Sequence, residues 1–163
     1  MKARQKSRHF TVTCVRVFSG AQTSVFDKWI SGAARSFVVG AGLGKTALKV
    51  MDIHEGGKEV YEDRRKNQIF STTCREYVVI EKPSLIICHV SISMPNSAMQ
   101  VRQHFATQEM LYFKPVSESE TELVKSNQVA CVQPTYVDAV TRAIEEEFDM
   151  FEKFLDMNVK EST

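Results

Sequence analysis

The last stretch of the chain limits the fold more than any other feature. Pro134-Thr135 opens more than 20 residues with no further Gly or Pro, and Val137, Val140, Ile144, Phe148, Phe151 and Leu155 recur within them every three or four positions. That spacing places the six on one stripe of an α-helix, with the glutamates on the opposite side. Thr135 and Asp138 fit the N-cap and N3 positions of a capping box. Left in water, the stripe would forfeit about 1.5–3 kcal/mol per large side chain. The helix must therefore lie against another layer, and the rest of the chain has to supply it.

The rest reads mostly as strands. Residues 10–18, FTVTCVRVF, are rich in β-branched and aromatic residues and stop at Ser19-Gly20. In AQTSVFDKWISG, Val25, Phe26, Trp29 and Ile30 fall at helical spacing, which predicts a short helix closed by Ser31-Gly32 with Trp29 facing inward. Thr46 to Ile53 is strand-like and Gly56-Gly57 a turn; KEVYED and IFSTTCREYVVI continue as hairpin strands, the second ending before Lys82-Pro83. LIICHVSIS at 85–93 alternates Ile86, Cys88, Val90 and Ile92 with a second set containing His89, so one face is buried and His89 points outward. MPNSAMQVRQH at 94–104 reads as a loop, and TQEMLYFKP and TELVKSNQVACV as two more strands around the turn SESE.

About seven strands, one early short helix and one long terminal helix predict an α+β protein whose antiparallel sheet carries its helices on one face. If sheet and terminal helix stand apart along part of their length, the space between them is an apolar cavity for a small molecule. If they close fully, it is only a core.

At 163 residues, 43% of them hydrophobic and 25% charged, the chain suits one globular domain. That domain spans 10–157, between a basic leader at 1–9 and a tail at 158–163. Lys2, Arg4, Lys6, Arg8 and Arg16 precede the first acidic residue, Asp27, whereas Glu145, Glu146, Glu147, Asp149, Glu152 and Asp156 crowd the other end, so the two ends are set to attract each other. The net charge of +1 gives no field for nucleic acid or an anionic membrane. Without interleaved aromatics the leader reads as a solvated terminus, and Arg16 interrupts the apolar stretch behind it, so no export signal is read. The longest apolar runs, YVVI and LIIC, fall far short of the roughly 20 residues of a membrane span. A cytoplasmic protein with no membrane insertion is expected.

Cys14, Cys74, Cys88 and Cys131 form no Cys-x-x-Cys pair, and each sits in a strand-like stretch, so they are expected to be reduced core residues, with disulfides as the alternative. His9, His54, His89 and His104 are scattered, which leaves no local metal-ligand set and no cofactor implied. Gly40-Ala41-Gly42-Leu43-Gly44-Lys45-Thr46 imitates a phosphate-binding loop, but Gly40 supplies three intervening residues where the cradle needs four. The segment after it, ALKVMDIHEGG, reads as a strand rather than a helix. A flexible glycine loop without nucleotide affinity is expected.

Asp52-Ile53-His54-Glu55-Gly56-Gly57, at the end of a strand, is similar to a recurrent hairpin signature of one superfamily. Arg16-Val17-Phe18 followed by Val25-Phe26-Asp27-Lys28-Trp29 is similar to that family's first strand and its helix; Tyr77 to Pro83 matches a strand ending in a proline turn, and Phe113-Lys114-Pro115-Val116 with Thr121-Glu122-Leu123 adds a further match. In this order, over roughly 10–157, the chain resembles the START-like SRPBCC superfamily, specifically the AHSA-type branch named for the activator of a heat-shock protein's ATPase. His54 stands where the family usually has Arg, and Ala33-Ala34 replaces its common acidic-proline ending of the short helix. The resemblance implies a helix-grip fold, with a curved sheet wrapped on the long C-terminal helix around an internal cavity for apolar ligands.

The residues placed to line such a cavity are Trp29, Ile86, Cys88, Val90, Phe113, Tyr136, Phe148 and Phe151, with plain core packing as the alternative for each. The leading expectation is a noncatalytic module binding a small hydrophobic molecule. A cyclase or hydrolase using the same cavity would need an acid–base pair drawn from Asp52, His54, His89 and Glu109, whose strand phases do not converge. A third expectation, stimulation of a chaperone ATPase, asks for a surface patch; a homodimer contact would do the same.

Overall fold

Side chains on an extended chain alternate between two faces, and that alternation sets the layout here. The computed structural model describes residues 8–39, 46–50, 58–65, 68–96, 101–131 and 134–161, with side chains at 10–39, 58–60, 72–93, 107–128 and 137–157. In chain order the elements are β1 (Arg8–Ser19), α1 (Gln22–Trp29), α2 (Gly32–Phe37), β2 (Thr46–Val50), β3 (Lys58–Arg65), β4 (Gln68–Glu81), β5 (Leu85–Asn96), β6 (Val101–Ser117), β7 (Glu120–Cys131) and α3 (Pro134–Glu161).

The strands form one seven-stranded antiparallel sheet in the order β1-β7-β6-β5-β4-β3-β2. β1 and β2 are thus its opposite edges, and the chain crosses between them through α1 and α2. On the inner face, alternate residues are buried: Val12, Cys14 and Phe18 on β1, Ile86, Cys88 and Val90 on β5, Leu111 and Phe113 on β6. Ile144, Phe148, Phe151 and Leu155 of α3 close over them. The backbone of α3 comes nearest to β1, β7 and α2. The architecture is the α+β arrangement expected, with a long C-terminal helix held against a seven-stranded sheet.

Local chemistry fixes the entry to the helices. Gly20 adopts φ +129°, a conformation that L side chains rarely take, and an added Cβ would lie 3.0 Å from Val25 Cγ2. Its N–H donates to the Ser119 carbonyl at 2.7 Å, and Thr121 Oγ1 donates to its carbonyl at 2.8 Å, so the turn is tied to the β6–β7 hairpin. Gln22 Nε2 then donates to the Phe113 carbonyl at 2.9 Å and holds α1 on the sheet. Ser31 ends one helix and begins the next: its hydroxyl donates to the Lys28 carbonyl at 2.7 Å and accepts from the Ala34 N–H at 3.2 Å.

Four expectations are corrected. Ser31-Gly32 is not simply a breaker, because a capping serine there starts α2, a helix too short to show periodicity. Residues 94–104 are not one loop: β5 continues to Asn96 and β6 begins at Val101, with Ser93 facing His104 and Asn96 facing Val101 across the pair. The long helix takes Pro134 as its first residue, which suits a ring with no N–H to lose, so Thr135 lies inside the first turn and not at the cap. The glutamates of α3 do not all face outward, since Glu147 is buried. It lies three residues after Ile144 and four before Phe151, on the apolar stripe itself. Regular structure also passes both ends of the 10–157 span, as β1 begins at Arg8 and α3 runs to Glu161. The glycine loop at 40–44, the turn at Gly56-Gly57, and Asp52 and His54 lie outside the described residues.

Candidate functional site

Between sheet and helices the inner face divides into an aromatic block and a charged belt. In the block, the Trp29 ring centre is 4.7 Å from Phe151, 6.2 Å from Phe148 and 6.4 Å from Phe113, all edge to face. Phe18 adds edge contacts to Phe151 and Phe148 at 5.1 and 5.7 Å. These geometries suit ring quadrupoles and each adds about 0.5–1.5 kcal/mol beyond area burial. Of the eight residues read as cavity lining, Trp29, Phe113, Phe148 and Phe151 therefore pack on one another. Ile86, Cys88 and Val90 form a buried row along β5. Tyr136 falls in the first turn of α3, its side chain outside the described residues.

The belt was not foreseen. Inner-face positions that strand parity reserves for apolar side chains carry Glu59 on β3, Arg75 and Tyr77 on β4, Glu109 on β6, and Lys125 and Asn127 on β7. Arg35 of α2 and Glu147 of α3 reach into the same layer. Register lines them up: Glu59 faces Arg75, Tyr77 faces Cys88, Cys88 faces Glu109, and Glu109 faces Asn127. Arg35 donates from Nε to Glu59 at 3.0 Å and from Nη2 to Glu147 at 3.2 Å. Lys125 Nζ lies 2.6 Å from Glu147 and 3.0 Å from Glu109; Arg75 Nη1 lies 3.3 and 3.5 Å from the same two carboxylates. The Tyr77 hydroxyl donates to Glu59 at 3.0 Å.

Three cations, Arg35, Arg75 and Lys125, thus face three carboxylates, Glu59, Glu109 and Glu147, and all but the partly exposed Arg75 are out of water. Burial by itself disfavours every one of these charges, and only mutual pairing holds them. Burial pushes the Glu147 carboxyl up, but attraction from Lys125, Arg35 and Arg75 outweighs it and holds the group well below the usual carboxylate range. Burial pushes Lys125 down, and Glu109 and Glu147 more than restore it. Arg35 is raised in the same way by Glu59, Tyr77 and Glu147 against its own burial. Burial raises the Tyr77 phenol well above its ordinary value and the Cys88 thiol to about 12, with Glu109 adding to the latter. At neutral pH these five groups hold fixed protonation states.

Among the described residues, three buried polar atoms beside the belt have no hydrogen-bond partner: Trp29 Nε1, Arg35 Nη1 and Glu59 Oε1. They belong together, because the Arg35 guanidinium carbon sits 5.1 Å from the Trp29 ring centre and its Nε is bonded to the other oxygen of Glu59. Two donors and one acceptor are left to be satisfied.

Of the acid–base candidates, Asp52 and His54 lie outside the described residues, and the two that are described do not meet. His89 is exposed on the outer face, and Glu109 is locked between Arg75, Lys125 and Asn127. Among the described residues no three His, Cys, Asp or Glu side chains are grouped to hold a metal ion. Cys14, Cys74 and Cys88 are free thiols, the first and last buried. The attraction between chain ends is realised at Arg16, whose guanidinium meets Glu145 at 2.7 Å, Asp149 at 2.5 Å and Glu152 at 3.5 Å along α3. Among the described residues no helix is long and apolar enough to cross a membrane.

Comparison with known protein families finds no match, and neither does comparison with curated proteins. Solved structures do match over almost the whole chain. An uncharacterized protein from Rhizobium leguminosarum aligns with TM-score 0.73 and 19% identity over 93% of this chain and 97% of that one. A START superfamily protein from Mycobacterium smegmatis aligns with TM-score 0.57 and 12% identity over 96% and 100%. Norcoclaurine synthase from Thalictrum flavum, solved with dopamine and hydroxybenzaldehyde, aligns with TM-score 0.57 and 10% identity over 91% and 87%. The fold is START-like: a helix-grip arrangement of antiparallel sheet and C-terminal helix.

Proposed function

We propose that this chain is a binding module that encloses a small, mostly apolar molecule between the sheet and α3, with a neutral hydrogen-bonding group of that molecule facing Arg35, Glu59 and Trp29. The observation that carries the reading is the trio of buried, unpartnered polar atoms at the border between aromatic block and charged belt. Buried polar groups in folded proteins are nearly always satisfied, so such atoms mark where a ligand or water belongs. The apolar body would lie along Ile86, Cys88 and Val90 and against Trp29, Phe113, Tyr136, Phe148 and Phe151, the residues read from the sequence, and the rings of Trp29, Phe113, Phe148 and Phe151, now packed on one another, would have to part to admit it. Its polar group is neutral because the belt is already balanced, three charges against three, and a further charge would be buried without a counterion.

Among the described belt residues, Glu147, Lys125, Arg35, Tyr77 and Cys88 are all pushed away from neutrality, whereas acid–base catalysis needs a group that titrates near the working pH, and this supports binding by the belt rather than catalysis. Within the fold we assign the chain to the AHSA-type branch. Burial of Val25, Phe26 and Trp29 on the inward side of α1 supports this, as that motif requires. The test is calorimetry with matched ligands of one carbon skeleton ending in a hydroxyl, a primary amide or a carboxylate. Saturable binding of the neutral pair with a negative heat-capacity change is expected. No binding of any member would refute the reading.

A further inference from the structure

The outer face of the sheet is independent of the ligand site. The described helices pack on the inner face, so the outer side chains meet solvent. These are not mixed evenly. At the end carrying the β4–β5 and β6–β7 turns, Val15, Val17, Val78, Ile80, Met110 and Tyr112 are between 38% and 53% exposed. Register makes them continuous. Val15 faces Val124, Val124 faces Tyr112 and Tyr112 faces Leu85, while Met110 faces Ile87 and Ile87 faces Val78. Toward the other end the same face turns polar, with Thr13 bonded to Ser126 and with Gln108, Gln128 and His89 exposed.

We infer that this half of the sheet is the contact between two copies of the chain, packed face to face about a two-fold axis that runs along the strands over β6. Exposed large apolar side chains there present roughly 500 Å², at the upper end of the largest patch on an ordinary monomer. That is short of the ~800 Å² per partner of a standard interface, so polar side chains at the rim have to supply the rest. Tyr112 and Met110 lie at the centre with aliphatic side chains around them, Lys114 Nζ sits 5.6 Å over the Tyr112 ring, and Glu122 stands between Lys114 and Val17 in the row nearest the turns. The rim is also self-complementary. Lys82 lies in the turn on the β4–β5 side and Glu118 and Glu120 in and beside the turn on the β6–β7 side, at the same end of the sheet. An axis along the strands exchanges the two sides, so it sets Lys82 of each copy against the glutamates of the other. Sheets packed in this way keep their strands within about 30° of alignment.

Sedimentation equilibrium across the micromolar range tests the proposal. The full chain should sediment as a dimer, and Tyr112→Glu as a monomer with an unchanged far-ultraviolet spectrum. Lys82→Glu should weaken the dimer at least tenfold, and adding Glu120→Lys should restore it, a rescue that loss of folding cannot imitate. A wild-type monomer throughout that range, or a dimer untouched by Tyr112→Glu, would overturn the proposal. Capture of the monomer by anionic vesicles through the same residues would also overturn it, by giving the face to a membrane.

Discussion

Glu147→Gln separates a balanced belt from an accidental cluster of charges. The carboxylate accepts from Lys125 at 2.6 Å, Arg35 at 3.2 Å and Arg75 at 3.3 Å, and its side chain is 3% exposed. Glutamine keeps the shape but leaves three cations against two carboxylates. Breaking a buried pair in this way costs about 3–5 kcal/mol. In a domain of this size that lowers the melting temperature by roughly 6–20 °C. The deficit should depend on pH in one direction. Because the folded-state pKa of Glu147 lies below its ordinary 4.5, its contribution is complete above that value and is lost as pH falls below it, where the unfolded chain takes up the proton first. The gap between wild type and Glu147→Gln in urea melts should be constant from neutrality to about pH 5 and shrink in more acid solution. Glu152→Gln, on an exposed carboxylate 3.5 Å from Arg16, is the control and should cost less than about 1 kcal/mol. Removing both ends of the closest pair, Lys125→Met with Glu147→Leu, restores charge balance and should recover most of the loss. A deficit no larger than the control's, or one that does not change with pH, would refute the reasoning.

Other outcomes rest on the same packing. Phe148→Ala, at the centre of the aromatic block, should destabilise by about 3–5 kcal/mol in denaturant unfolding. Gly20→Ala should cost about 1–3 kcal/mol, since φ +129° and the 3.0 Å approach of Val25 both oppose a Cβ. In thiol labelling of the folded protein, the half-buried Cys74 should react well before Cys88, whose thiol burial holds at about 12.

Much of the fold was legible because its signals are periodic. Alternation in LIICHVSIS gave β5 and its buried face, and the stripe from Val140 to Leu155 gave α3. The facing ends of β5 and β6 were missed because Pro95, Asn96 and Ser97 look like turn chemistry, yet the register carries the ladder through the first two. Burial of the apolar residues was legible, but the charged belt beside them was not. Lys125 and Asn127 continue the parity of Thr121 and Leu123, Glu109 that of Leu111 and Phe113, and Arg75 lies between Thr73 and Tyr77. A charge on apolar parity was the available signal, and Glu147 gave it too, standing between Ile144 and Phe151. Reading the α3 glutamates as all solvent-facing was the error at Glu147, since a long side chain on the inner face can be held there by a partner from a distant element. Arg35 gave no signal, because nothing near it in sequence indicates that Glu59 and Glu147 will reach it.

The central claim is that Arg35, Glu59 and Trp29 await the polar group of a ligand, and the indole N–H of Trp29 reports on it directly. It is the only tryptophan in the chain, so its side-chain resonance in a nitrogen–proton correlation spectrum is unambiguous. Titration with the hydroxyl- and amide-terminated members of the matched series should move that resonance downfield as the N–H gains an acceptor, and Arg35→Lys should weaken the response. A resonance that stays in place while the protein is saturated, or that moves only with the carboxylate, would contradict the account.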